Sequence, residues 1–312
     1  MKKKILIIGS LNVDMVIEMK HMPMVGETVL GTKLTYVPGG KGANQACAAA
    51  KLGGDVKMLG CVGNDEFGDI QRNNLWNCGV DTRDFKRSQI NRTGTASIYV
   101  DGSGNNSIVV VAGANGECNI AYLKEYDKVI QTCDYIILQM EIPYEAIFYA
   151  IRRAKELGKT VILNPAPAPE NFPDEILKNI DYITPNETEL MKICKREGNT
   201  ITDFTESAKL LLKKGVKNVL VTLGERGALL VNEEMAQTFP TRKVKTVDTT
   251  AAGDCFNGAF AVALAEGREE REAVMFANAA SSIVVTRNGA QTSIPDREET
   301  NDVYKNLLKE KS

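Results

Sequence analysis

The residue with the most suggestive surroundings is Asp254, in "DTTAAGDCFNGAFAVALAEG" (residues 248–267), where polar residues and glycine meet an apolar helix. Phe256, Phe260, Ala263 and Leu264 follow helical spacing, which predicts a helix beginning near Ala252 or Gly253 with Asp254 in its first turn. Two readings stand at that position. A carboxylate in a first turn complements free backbone amides and the helix dipole. The same geometry lets the turn Ala251, Ala252 and Gly253 hold an anion such as a phosphate while Asp254 takes a proton from a neighbouring hydroxyl. The small side chains of that turn let an anion approach the backbone, which favours the second reading.

A second glycine cluster, "PGGKGANQACAAAKLGG" (38–54), also runs a loop into a helix. It lacks the leading glycine and the Ser or Thr after Lys41 of a Walker loop, and Gln45 stands at the third glycine position of a dinucleotide fingerprint. What remains is a backbone open to close approach at Gly40, with Lys41 and Asn44 beside it, suited to a compact polyol; a plain turn with small-residue helix packing is the alternative. Asn12 and Asp14 follow the first apolar run and Glu141 follows "YIILQM". At the carboxyl ends of parallel strands these groups converge with Asp254, and carboxylates and amides together suit hydroxyl groups. Each alone also serves as an ordinary turn residue.

Asn186 and Glu189, three apart in "TPNETE", share one face of a helix start, as a cap or as groups ordering hydrated magnesium and phosphates. In "VTLGERGALL" a strand, a glycine turn and a second strand place Thr222, Gly224 and Gly227 against a nucleotide, or simply form the turn. His21 is the only histidine, which removes histidine catalysis and multi-histidine metal sites from consideration. Trp76 is expected to pack its helix, and Cys255 to be a small packing residue, with no histidine to activate it.

These residues need a scaffold that gathers loops at one edge. Short apolar runs ("KILIIG", "VKMLGCVG", "YIILQM", "TVILNP", "NVLVTLG") alternate with helical patterns, which predicts an α/β fold: a doubly wound, mostly parallel sheet with helices on both faces. Residues 11–38 and 93–111 break the rhythm with strand-period alternation and a hairpin turn at "DGSGNN", which predicts a small discontinuous antiparallel β lid beside a single domain spanning 1–312. The chain has 312 residues, 43% hydrophobic and 25% charged, with 38 basic against 40 acidic residues, so no broad field favours nucleic acid or a membrane surface. The start, "MKKKILIIGS", is too short in apolar residues for a signal peptide and reads as a strand. Seven scattered cysteines without a C-x-x-C pair point to reduced thiols in the cytoplasm and against a structural zinc site.

Together "GSLNVD", "PGGKGANQA", "NPAPAP", "TPNETE", "TLGERGALL", "DTTAAGDCFNGAF" and "TRNGAQTSIP" resemble the ribokinase/PfkB sugar-kinase family, in its ribokinase branch, nearly from end to end. The resemblance implies ATP-dependent phosphorylation of D-ribose at the 5-hydroxyl, giving D-ribose 5-phosphate and ADP in ribose catabolism that feeds the pentose phosphate pathway. Asp254 would be the general base and the turn Ala251, Ala252 and Gly253 the anion hole. Sugar contacts carry over to Asn12, Asp14, Gly40, Lys41, Asn44, Glu141 and Asp254, and ATP contacts to Asn186, Thr222, Gly224, Gly227, Gly253 and Asn278. Glu189 would order magnesium indirectly. An activating potassium ion would map to Asp248, Thr250, Val284, Arg287, Gly289 and Ser293, several through backbone carbonyls. The lid would close over the sugar and pair with its twin in a homodimer. Cys255 departs from the threonine common in this motif. Rivals are a kinase acting on deoxyribose, fructose, adenosine or tagatose 6-phosphate, and a non-catalytic sugar or nucleotide sensor. The paucity of cations in the lid, Lys20 and Lys33, argues against a phosphosugar.

Overall fold

Lys4–Ile8 carries four aliphatic residues in a row, as a strand buried on both faces requires. Ile5 and Ile7 enter one core with the helices Lys41–Lys51, Ala252–Ala265 and Glu270–Val284, while Leu6 and Ile8 enter the opposite core with Tyr144–Glu156, Glu187–Cys194 and Ile201–Lys213. The computed structural model describes residues 2–309; the extreme ends of the expected 1–312 domain lie outside the described residues.

The large sheet has eight strands in the order Ala236–Phe239, Ala228–Val231, Asn218–Thr222, Tyr182–Ile183, Thr160–Leu163, Tyr135–Leu138, Lys4–Ile8 and Asp55–Leu59. Pairing is parallel from Asn218–Thr222 to Asp55–Leu59 and antiparallel among the first three strands. The sheet is therefore mostly parallel with helices on both faces, as expected from the alternation of apolar runs. Just beyond the carboxyl ends of four parallel strands stand Ser10, Gln139, Asn164 and Thr184, all buried.

The helices Lys41–Lys51 and Ala252–Ala265 pack closely. A side chain at Gly258 would come within 2.8 Å of the Ala48 Cβ and of the Gln45 carbonyl. Small residues let the two helices approach, and so the first turn of one faces the first turn of the other.

A separate four-stranded sheet runs Gly31–Gly39, Asn12–Met19, Gly94–Val100 and Asn106–Val111. The expected lid is not purely antiparallel: the two outer pairs are, but Asn12–Met19 and Gly94–Val100 run parallel, with Asn12 opposite Gly94 and Glu18 opposite Val100. Both strands leave the body of the protein at the same place and run outward, so two hairpins from distant parts of the chain meet side by side in one direction.

Two further expectations change. Trp76 is 59% exposed rather than packed, because it faces away from the helix side that buries Gln71 and Leu75. All seven cysteines are free, yet folding brings the Sγ atoms of Cys47 and Cys78 to 2.9 Å, a proximity their sequence spacing hides. Cys255 is fully buried, as a packing residue should be. Among the described residues no helix is long and apolar enough to cross a membrane.

Candidate active site

Ala251 closes the turn before the helix Ala252–Ala265 with φ 60° and ψ 8°. That left-handed conformation costs an alanine about 1–2 kcal/mol, strain of the kind found where a backbone is shaped for a ligand. The Ala252 amide donates to the Thr249 carbonyl at 3.2 Å, so one member of the expected anion-binding turn is already engaged. Gly253 and Asp254 follow in the first turn, where amides have no acceptor within their own helix. Gly253 is exposed and has open space where a Cβ would be.

Asp254 itself is only 7% exposed. Its Oδ2 accepts from the Asn44 Nδ2 at 2.9 Å and its Oδ1 from the Gln45 Nε2 at 3.0 Å. Burial pushes this carboxyl up, opposed by the Lys41 ammonium and then by the two amide hydrogen bonds. Burial also acts to lower Lys41, but Asp254, Glu141 and Glu189 outweigh it and hold the ammonium above its ordinary value. Lys41 thus stays a cation amid three carboxylates.

The rest of the polar cluster is built from the glycine loop and the first strand's exit. Glu141 accepts from the Ser10 Oγ at 2.6 Å and from the Lys41 amide at 3.0 Å. Asn12 accepts through Oδ1 from the Asn115 Nδ2 at 2.8 Å. Gly40 has φ 88°, and a Cβ there would meet the Asn12 amide at 2.7 Å, so only glycine fits. At Gly39 a Cβ would collide with the Asp14 carboxylate. Asp14 is pushed up to about 7, by burial first and then by Glu141 and Asp254. The Asn44 Oδ1 is buried without a partner, an acceptor left open.

On the other side of the Asp254 helix lies a cavity of about 970 Å³. Asn186, Thr222, Gly224, Gly227, Gly253 and Asn278 all line it. Its volume suits a nucleotide. Asn186 and Glu189 form a capping box, the side chain of each accepting from the backbone amide of the other at 2.8 Å, so both sequence readings of this pair are compatible with one geometry. Burial raises the Glu189 carboxyl, against the Asn186 amide and Lys41. Asn278 is 2% exposed and its Nδ2 donates to the Phe239 carbonyl at 2.8 Å, which makes it a support for the cavity wall.

Of the positions proposed for a monovalent cation, three meet directly. Asp248 accepts through Oδ1 from the Thr250 amide at 2.9 Å and hydroxyl at 2.7 Å, and through Oδ2 from the Gly289 amide at 3.0 Å. Burial acts to raise the Asp248 carboxyl, but these hydrogen bonds outweigh it and hold the group below its usual value. The Arg287 side chain pairs with Glu299 and its amide donates to the Val284 carbonyl, while the Ser293 hydroxyl donates to the Ala290 carbonyl. Among the described residues no cluster of three or more His, Cys, Asp or Glu could hold a metal ion.

Sequence reasoning passed over several functional neighbours. Gln45, Gln139 and Asn164 reach Asp254 or its partners, and Thr241, Arg242 and Lys243 line the cavity. One signal was in view: Gln45 is a polar residue inside the small, apolar helix start "GANQACAAA".

Residues 2–297 match the pfkB family carbohydrate kinase. A ribokinase of Haemophilus influenzae is 39% identical over 300 residues, 96% of this chain and 98% of its own length. A deoxyribokinase of Salmonella typhi is 35% identical over 298 residues, 96% and 97% of the two chains. The structure of Arabidopsis thaliana ribokinase complexed with ribose and ATP is 33% identical and aligns with a TM-score of 0.93 over 98% of this chain and 99% of that one. A family match over nearly the whole length, relatives at this identity and a shared architecture agree: the chain belongs to the pfkB family of carbohydrate kinases.

Proposed function

We propose that this protein transfers the γ-phosphoryl group of ATP to the 5-hydroxyl of D-ribose, giving D-ribose 5-phosphate and ADP. The observation that carries the reading is the placement of Gly253 and Asp254. Gly253 lines the nucleotide-sized cavity, while the next residue turns its carboxylate into the polar cluster of Lys41, Asn44 and Glu141. A hydroxyl bound in that cluster meets a phosphate bound in the cavity at one helix start.

In this mechanism Asn12, Asp14, Gly40, Lys41, Asn44 and Glu141 bind the sugar, with the open Asn44 Oδ1 accepting from a hydroxyl. Asp254 takes the proton of the 5-hydroxyl as it attacks. The amides at the turn Ala251 to Gly253, chiefly that of Gly253, stabilise charge on the phosphoryl oxygens. Asn186, Thr222, Gly224, Gly227 and Asn278 shape the nucleotide site. Magnesium bound with ATP supplies charge neutralisation on the phosphates, and Glu189 would hold it through water. The carboxylate of Asp248, which meets Thr250 and Gly289, suits a potassium ion, with Val284, Arg287 and Ser293 as further backbone oxygen donors. The small sheet, formed by Asn12–Met19, Gly31–Gly39, Gly94–Val100 and Asn106–Val111, acts as a lid that excludes water from the transfer and mediates a homodimer. Seven free thiols suit a cytoplasmic setting.

The test is a coupled ADP-release assay over ribose, 2-deoxyribose, fructose and adenosine, with and without potassium. Ribose should give the highest kcat/KM, and Asp254→Asn should lower kcat by about 10²- to 10⁴-fold while ribose and ATP still bind. Near-normal turnover in that variant removes Asp254 as the base. No turnover of any sugar by the wild type leaves a binding protein.

A further inference from the structure

The buried polar residues beneath Asp254 belong to none of the sugar, nucleotide or cation contacts above, yet they form a continuous network. The Gln45 Nε2 donates to the Asp254 Oδ1 at 3.0 Å and to the Asn164 Oδ1 at 3.2 Å, and the Gln45 Oε1 accepts from the Gln139 Nε2 at 2.7 Å. The Asn164 Nδ2 donates to the Thr184 carbonyl at 2.9 Å, the Thr184 hydroxyl to the Asn257 Oδ1 at 2.6 Å, and the Asn257 Nδ2 to the Gly253 carbonyl at 2.8 Å. The path leaves the Asp254 carboxylate and returns to the backbone one residue before it. Gln45 and Gln139 are fully buried, and Thr184 and Asn257 are 1% exposed.

We propose that Gln45 is a positioning residue for phosphoryl transfer: it fixes the direction of the Asp254 carboxylate and, through Gln139 and Asn164, ties that carboxylate to the ends of the central strands. The proposal rests on Asp254 being the base. Its geometry has a built-in polarity. An ionised carboxylate only accepts, so Gln45 must present its NH₂ to Asp254, its carbonyl must then face Gln139, and Gln139 must present its own NH₂. This order leaves the Gln139 Oε1 buried with no partner. A core under no other demand fills such a place with apolar side chains, since an unpaired buried acceptor is costly. Gly9 leaves room for that oxygen, since a Cβ there would collide with it as well as approach the Gly42 Cα at 2.9 Å. The chain keeps an orphaned acceptor where a donor points at Asp254.

The consequence is that one carboxylate oxygen is held by Gln45 and the other by Asn44, which also faces the sugar, so the carboxylate cannot swing away from the incoming hydroxyl. Hydrogen bonds to a charged carboxylate also favour ionisation, so those from Gln45 and Asn44 oppose the upward push of burial on this carboxyl.

The experiment compares Gln45→Met and Gln139→Met with wild type and Asp254→Asn. It measures kcat at saturating ribose and ATP against pH, with melting temperature and circular dichroism to confirm folding. Gln45→Met should lower kcat roughly 10- to 100-fold with little change in either KM, and should move the acid limb of the kcat profile up by about one pH unit. Gln139→Met, which frees Gln45 to turn without touching Asp254, should move the limb the same way by less. If Gln45→Met does not fold, Gln139→Met alone decides by the same limb. A limb that stays in place while Asp254→Asn is inactive overturns the role of Gln45, because simple loss of packing lowers stability without shifting it. Retained turnover in Asp254→Asn would instead indict the base assignment.

Discussion

Asp14 and Asp254 share one cluster but are held in different ways, and the difference predicts pH behaviour. Asp254 has two amide donors on its oxygens, whereas Asp14 faces Glu141 and Asp254 with its carboxyl pushed up to about 7. Its folded value lies above its ordinary value of 3.8, so the protonated form favours the fold, and that contribution is lost as pH rises through about 7. Sugar hydroxyls donate to a carboxylate and therefore favour the ionised form. With Asp14 as a sugar contact, as proposed, ribose must displace a proton below pH about 7, so the KM for ribose should rise up to tenfold per unit fall in pH there and level off above it. The melting shift produced by ribose should grow between pH 6 and 8 for the same reason. Asp14→Asn should bind ribose more weakly and lose this pH dependence. An unchanged KM–pH profile in that variant assigns the titration to another group. Because kcat at saturation reports the bound complex, the Asp14 and Asp254 titrations separate in one data set.

At the scale of elements, the site depends on how closely two helices pack. The side chains of Asn44 and Gln45 reach Asp254 at 2.9 and 3.0 Å because Gly258, one turn beyond Asp254, lies against Ala48 and the Gln45 carbonyl. Gly258→Ala must push the helices apart by several tenths of an ångström. Overpacking of this kind costs about 1–3 kcal/mol, and a lost alignment at the base can cost about 10²-fold in rate. The variant should melt a few degrees lower and lose roughly 10- to 100-fold in kcat with the KM for ATP nearly unchanged; wild-type kcat would mean the helices have slack. This contact also marks the limit of what the sequence reveals. The aliphatic runs and the turn at Ala251 to Gly253 were legible because local periodicity and turn chemistry encode them, and so was the helix carrying Asp254. The contacts of Gln45, Gln139 and Asn164 were not, since a glutamine in a small-residue helix acquires its partners only when the ends of two distant strands and a second helix meet. The parallel pairing of Asn12–Met19 with Gly94–Val100 was hidden for the same reason: each hairpin is local, but their register against one another is not. Asn278 shows the converse, a residue in the right region whose amide proves to hold the wall.

At the scale of the whole molecule, the small sheet has an unusual surface. Every residue of Asn106–Val111 is exposed, and Ile108, Val109, Val110 and Val111 are each 54–59% exposed on an edge strand. On the opposite edge Leu34 and Tyr36 are about equally open, at 52% and 50%. Exposed, apolar edge strands invite pairing with another chain unless something covers them. The root of the small sheet adjoins the proposed sugar cluster, because Asn12–Met19 begins and Gly31–Gly39 ends where Asn12 pairs with Gly39. In the proposed homodimer these exposed edges would meet a second copy, and a two-fold interface would bury the same strands from both partners. Introducing charge at Val109 and Val111 together, as lysines, should therefore convert a dimer into a monomer at micromolar concentration, read by sedimentation equilibrium, with the melting temperature of the main body little changed. If partner contact steadies the lid, the KM for ribose should rise in the same variant more than the KM for ATP, since the nucleotide cavity lies between Asn186, the Thr222–Gly227 turn and the helix Glu270–Val284, away from the small sheet. A wild type that sediments as a monomer overturns the dimer. A monomeric double variant with unaltered KM for ribose would keep the interface but detach it from lid closure.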